Sequence, residues 1–121
     1  MPTQKEIGDK AEAIAVQYLA KSGYRILATK WYFGHYELDI VAREKDELVI
    51  VEVKARTGLR YEHPSEAISN KKIKRIVEAG EAFILEHDLN LETRFDVITI
   101  IFFKEGKYEL EHFKDAFYPT M

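Results

Sequence analysis

Along residues 3–21 the apolar side chains Ile7, Ala11, Ile14, Ala15, Tyr18 and Leu19 return at steps of three and four. That spacing predicts a helix with one buried face. Gly23 follows it, where helix C-termini favour glycine. The period then changes: residues 24–33 are rich in aromatic and β-branched types and stop at Gly34, which reads as a strand and a bend. Residues 37–42 and 48–54 are two apolar runs separated by the charged stretch 43–47, the spacing of an antiparallel hairpin. Residues 56–63 read as a loop. Pro64 and Ser65 then open a helical region running to about His87, with Ile68, Ile73, Ile76, Val77, Gly80, Phe83 and Ile84 on one face. Residues 94–103 form the most apolar stretch, a central strand, and Glu105-Gly106 turns the chain into a weaker strand at 108–113. The predicted order is α-β-β-β-α-β-β, giving an α/β domain over residues 1–121 with a sheet flanked by helices.

Composition narrows the chemistry. The chain has 121 residues, 46% hydrophobic, enough for one core and too few for two ordinary domains. It has no cysteine, so disulfides, thiolate metal sites and cysteine nucleophiles are excluded. Residues 1–6 are polar, and no uncharged stretch approaches the roughly 20 residues of a membrane span. A soluble, cytoplasmic protein is expected. The net charge of −3 argues against a general nucleic-acid coat, yet leaves room for a local basic patch. His35, His63, His87 and His112 lack paired zinc-ligand spacing, and there is neither a glycine-rich phosphate loop nor a nucleophile elbow.

Side chains alternate along a strand, so Leu48, Ile50, Glu52 and Lys54 share one face of the second hairpin strand. Glu37 and Asp39 share a face of the first, and a hairpin closing near Lys45-Asp46 brings them beside Glu52 and Lys54. Carboxylates inside apolar strands are costly unless compensated. A divalent cation compensates them: Mg²⁺ takes one or two carboxylates, here Asp39 and Glu52, and the Val53 carbonyl offers a third oxygen. Lys54 is placed to orient or deprotonate a water, or to set its charge on a phosphate. A cross-strand acid–lysine ion pair would leave the same pattern in the sequence, and the residues alone leave the two readings about evenly matched.

These residues resemble the PD-(D/E)xK motif of the restriction-endonuclease-like superfamily, spelled here Leu38-Asp39 and then Glu52-Val53-Lys54, and the element order resembles that superfamily's αβββαβ core, a central mixed sheet flanked by helices. More closely, the chain resembles the YraN family of uncharacterised bacterial proteins through Gly8-Asp-Lys-Ala-Glu12-Ala, Glu37-Leu-Asp-Ile, Val51-Glu-Val-Lys-Ala-Arg56, Pro64-Ser-Glu-Ala-Ile and Arg94-Phe-Asp96-Val. The resemblance implies kinship with Holliday-junction-resolvase-like nucleases, and with it a Mg²⁺- or Mn²⁺-dependent endonuclease acting on DNA. It also implies that Glu12, on the first helix, joins Asp39, Glu52 and Lys54 as a catalytic residue. One position departs from the family: glycine usually precedes the Glu-x-Asp segment, whereas Tyr36 stands here, a bulkier residue that would narrow the groove.

Several residues carry two readings. Glu12 is either a metal-site acid or a first-helix acid favourable to the helix dipole, and Glu37 is either an additional ligand, a residue that orients Lys54, or a strand-entrance acid. Lys54, Arg56, Arg60, Lys71, Lys72, Lys74 and Arg75 make the middle of the chain basic, and Lys71, Lys72 and Arg75 can share a helix face; Arg56, Lys71, Lys72 and Arg75 are the expected phosphate contacts. A solvated helix face has the same pattern. Asp96 is expected to pair with a lysine or a backbone donor, and Trp31, Tyr32 and Phe33 to pack at a sheet edge or stack on unpaired bases. The alternative function is a nucleic-acid-binding module that keeps a nuclease-like fold without cutting. A homodimer is a weaker expectation.

Overall fold

Secondary structure begins at Thr3, whose hydroxyl accepts the Glu6 N–H at 3.1 Å while the Glu6 carboxylate accepts the Thr3 N–H at 3.3 Å. This reciprocal cap opens α1, Gln4–Lys21. Ser22 closes it, and Gly23 takes the positive φ of 94° that a glycine accepts without strain. There follow β1 (Arg25–Phe33), β2 (Tyr36–Glu44), β3 (Glu47–Thr57), α2 (Asn70–His87), β4 (Glu92–Phe102), a 3₁₀ turn (Lys104–Gly106) and β5 (Tyr108–Phe113). This computed structural model describes residues 2–57 and 69–117. The expected loop at 58–63, the helix opening at Pro64-Ser65, and Arg60, His63 and Ile68 lie outside the described residues.

The five strands form one mixed sheet in the order β1-β2-β3-β4-β5. Neighbours are antiparallel except β3 and β4, which run parallel across the connection containing α2. The αβββαβ order is that of a restriction-endonuclease-like core, with β5 added at one edge. Each face carries its own apolar layer. Ala11, Ala15 and Leu19 of α1 pack with Ile40, Ala42, Val49, Val51, Ile98 and Ile100. Ile73, Ile76, Ala79 and Phe83 of α2 pack with Leu38, Val41, Leu48, Ile50, Phe95 and Val97. Trp31 joins the second layer, edge-on to Phe83 with ring centroids 5.1 Å apart, so it serves packing, while Tyr32 and Phe33 remain exposed.

One boundary differs from the sequence expectation. Arg56 and Thr57 belong to β3 and pair with Ile101 and Phe102, because parallel pairing with an apolar strand extends a segment whose polar composition reads as loop. α2 begins at Asn70, where Ser69 is extended (φ −75°, ψ 159°) and its hydroxyl accepts the Lys72 N–H at 3.2 Å.

The closed end of the β2–β3 hairpin is tied down by Arg94. Its guanidinium donates to both oxygens of Asp96 at 2.9 Å, to Glu44 at 2.9 Å, to Glu47 at 3.0 Å and to the Tyr24 hydroxyl at 2.8 Å. Asp96 is fully buried and also holds His112 Nε2 at 2.7 Å and the Asp115 N–H at 3.0 Å; Tyr18 lies 3.0 Å from His112 Nδ1. The partner expected for Asp96 is therefore corrected from lysine to arginine and histidine, with the backbone donor retained.

Gly80 sits mid-helix with room for a methyl. A Cβ there would meet Ile50 Cγ1 at 3.6 Å and Phe95 Cε1 at 3.8 Å, both ordinary contacts. Gly80→Ala should therefore stabilise the protein by about 0.5–1 kcal/mol through helix propensity, which urea unfolding would register as a higher midpoint at unchanged slope.

Candidate active site

The β2–β3 ladder runs from Glu44–Glu47 to Ile40–Val51. Beyond it side chains continue the exchange: the Val53 N–H donates to Asp39 Oδ2 at 2.8 Å and the Asp39 N–H donates to Glu52 Oε2 at 3.5 Å. Pairing with β4 continues on the other side through Glu52–Val97 and Lys54–Thr99. Asp39 and Glu52 thus lock each other's strand where the hairpin opens. Val53 enters the site through its N–H, which holds Asp39.

Two elements bring three carboxylates together here. Oxygens of Glu12 on α1 and of Glu37 and Asp39 on β2 all lie within 4.8 Å of one another. Glu12 Oε1 is shielded from solvent and has no hydrogen-bond partner among the described residues, its neighbouring cation being Lys30 Nζ at 3.4 Å. Lys30 is itself engaged with Asp9 at 2.8 Å. Glu37 accepts the Tyr32 hydroxyl at 2.6 Å. Glu52, 1% exposed, accepts the Tyr36 hydroxyl at 3.1 Å and faces Lys72 Nζ at 3.6 Å. Lys54 and Lys72 adjoin each other.

The electrostatics follow from this crowding. Burial, then the neighbouring Asp39 charge, pushes Glu52 up to about 7. Burial raises Asp39 against the pull of the Val53 N–H, and burial with the Asp39 charge raises Glu12. Burial and the adjoining Lys72 lower Lys54 to about 8. Burial alone would lower Lys72, but the neighbouring Lys54 amine and the charges of Glu52 and Asp39 outweigh that and hold it protonated. Among the described residues the ensemble is a knot of carboxylates, with Lys30, Lys54 and Lys72 beside them and one acid oxygen that accepts no hydrogen bond. An all-oxygen donor set of this kind suits a hard divalent cation.

The matches to known proteins bear on the same residues. The description "Uncharacterised protein family UPF0102" matches residues 11–100, a span holding Glu12, Glu37, Asp39, Glu52, Lys54 and Lys72. A UPF0102 protein of Parabacteroides distasonis is 43% identical over 98% of this chain and 97% of its own length. The chain belongs to the UPF0102 family. A second UPF0102 protein, from Bacteroides thetaiotaomicron, is 43% identical over 100% of this chain and 99% of its own, and one from Chlorobium phaeobacteroides is 38% identical over 92% of each. This is the YraN resemblance expected from the motifs, now established over the full length.

The UPF0102 chain brings Glu12, Glu37, Asp39, Glu52 and Lys54 to one end of the hairpin. The basic residues divide: Lys72 turns into the site, whereas Lys71, Lys74 and Arg75 stay exposed on α2 and Arg56 is exposed near the end of β3. Lys30, the Tyr36 hydroxyl's bond to Glu52 and the inward role of Lys72 are additions to the sequence reading. Lys72 left a trace there as one member of a basic helix face, and Tyr36 as a bulky residue narrowing the groove. No helix among the described residues is long and apolar enough to cross a membrane.

Proposed function

We propose that this UPF0102 protein is a Mg²⁺- or Mn²⁺-dependent nuclease that hydrolyses phosphodiester bonds in DNA, including branched or structured DNA. The observation that carries the reading is the convergence of the Glu12, Glu37 and Asp39 carboxylates beside Glu52, Lys54 and Lys72. Glu12, Glu37 and Asp39 would hold the cation, with Glu52 fixing Asp39 through its backbone. Bound there, a divalent cation supplies Lewis-acid stabilisation of the charge that builds on the phosphodiester as it is cut. Lys54, with an amine lowered towards about 8, accepts a proton from the attacking water near neutral pH. Lys72 keeps its charge for the phosphate. The exposed Lys71, Lys74 and Arg75 supply the sequence-independent hold on the backbone. Paired cuts at a branch point would take two such sites, which a homodimer provides.

The test is a labelled panel of linear and branched DNA and RNA with Mg²⁺ or Mn²⁺, comparing wild type with Glu52→Ala/Lys54→Ala. Metal-dependent cutting of DNA, abolished in the double variant, is the expected result. Salt-sensitive binding with every substrate left intact would replace the nuclease by the non-cutting binding module.

A further inference from the structure

The β1–β2 turn carries an aromatic tip directly beside the acid cluster. Phe33 and Tyr36 pair across a two-residue turn whose first residue, Gly34, takes φ 62°, which fixes a tight hairpin end. Phe33 is 47% exposed and Tyr32 59% exposed. These rings are tied to the site. The Tyr32 hydroxyl donates to Glu37 at 2.6 Å, and the Tyr36 hydroxyl donates to Glu52 at 3.1 Å.

Between this tip and α2 lies a cavity of about 270 Å³ lined by Phe33, His35, Tyr36, Arg75 and Glu78. It lies just below the roughly 300–1,000 Å³ of clefts that take drug-sized ligands, a size suited to a single planar ring system. Its walls combine aromatic surface, the Arg75 guanidinium and the Glu78 carboxylate. Stacking, a phosphate partner and an acceptor for a base amine therefore occur together. Tyr36 is both a wall of the cavity and the hydroxyl partner of Glu52, so an occupant would lie next to the acid cluster. A paired base is already stacked within its duplex and cannot enter; an unpaired one can.

We infer that this cavity is a subsite for one unpaired nucleotide, its base stacked on Phe33 and its phosphate met by Arg75, and that it directs the protein to DNA with unpaired nucleotides next to a duplex. The inference rests on the nuclease reading for its nucleic-acid ligand and adds the substrate class. Tyr36 gives the subsite an aromatic wall.

The experiment measures binding in EDTA, where cutting plays no part, using a forked DNA with 2-aminopurine in one unpaired arm and a blunt duplex of equal length. Wild type should bind the fork at least about tenfold more tightly than the duplex, within the range that one base–aromatic stack supplies, and should quench the 2-aminopurine. Phe33→Ala should lose both the preference and the quenching while keeping its duplex affinity, and Phe33→Tyr should keep all three. Equal affinity of wild type for fork and duplex, an unchanged preference in Phe33→Ala, or no binding to either DNA would overturn the subsite. Absence of cleavage on adding Mn²⁺, with the fork preference intact, would overturn the nuclease reading and leave the subsite standing.

Discussion

Asp39→Asn is expected to keep the fold and to lower the cleavage rate by about three orders of magnitude, the upper end of what one preorganised electrostatic group supplies. The two halves of that expectation have separate causes. Asparagine keeps an oxygen that can accept the Val53 N–H, the 2.8 Å contact by which residue 39 continues the β2–β3 pairing. It removes the negative charge next to Glu12 and Glu37, and with it the ability to hold a cation. Burial raises the Asp39 carboxyl above its ordinary value, so its ionised form is disfavoured by the fold. Without metal at pH 8 the variant should therefore melt no lower than wild type. Adding Mn²⁺ should raise the melting temperature of wild type, because a ligand of the native state stabilises it, and leave that of the variant unchanged. Single-turnover rates and parallel thermal melts read both effects.

The second large effect is at the opposite end of the hairpin and concerns stability. Asp96→Ala should destabilise the protein by about 3–5 kcal/mol, because it removes the buried acceptor of Arg94 Nε, His112 and the Asp115 N–H at once. Asp96 is fully buried and meets Arg94 through two bonds at 2.9 Å and His112 at 2.7 Å. The expected fall in melting temperature is roughly 10–20 °C.

The pH dependence separates this network from the acid cluster. Burial would raise Asp96, but His112 and Arg94 outweigh it and hold its carboxyl below the usual range. Its contribution is thus fully present above the unfolded value and is lost as pH falls through the folded one. Glu52 has the opposite sign. Raised to about 7, it favours the fold most below its unfolded value, and that contribution is lost as pH rises through about 7. Metal-free protein should therefore be most stable near about pH 5, with Asp96→Ala removing much of the acid-side decline. Urea midpoints across pH in EDTA give the measurement.

What the sequence disclosed depended on how local each signal was. Asp39, Glu52 and Lys54 were legible because charges inside apolar strand runs are costly enough to demand a reason, and the hairpin spacing placed them together. Glu12 was legible through the family resemblance, since nothing in an amphipathic helix marks one acid as facing a distant strand. Lys72 could be seen only as part of a basic face, because a solvated lysine and one directed at Glu52 follow the same helical periodicity. Tyr36 and Lys30 meet their partners through the tertiary fold, as do Arg94 and His112, which reach Asp96 from β4 itself and from β5.

The central claim is that the acids at the open end of the hairpin form a metal-dependent cutting centre. The most direct measurement is single-turnover cleavage of an end-labelled DNA junction across a Mn²⁺ titration, with wild type and Asp39→Asn in parallel and an EDTA control. A rate that rises and saturates with Mn²⁺ in wild type, and is absent in EDTA and in Asp39→Asn, is the predicted result. Cleavage that persists in Asp39→Asn or in EDTA, or no cleavage by wild type at any Mn²⁺ concentration, would contradict it.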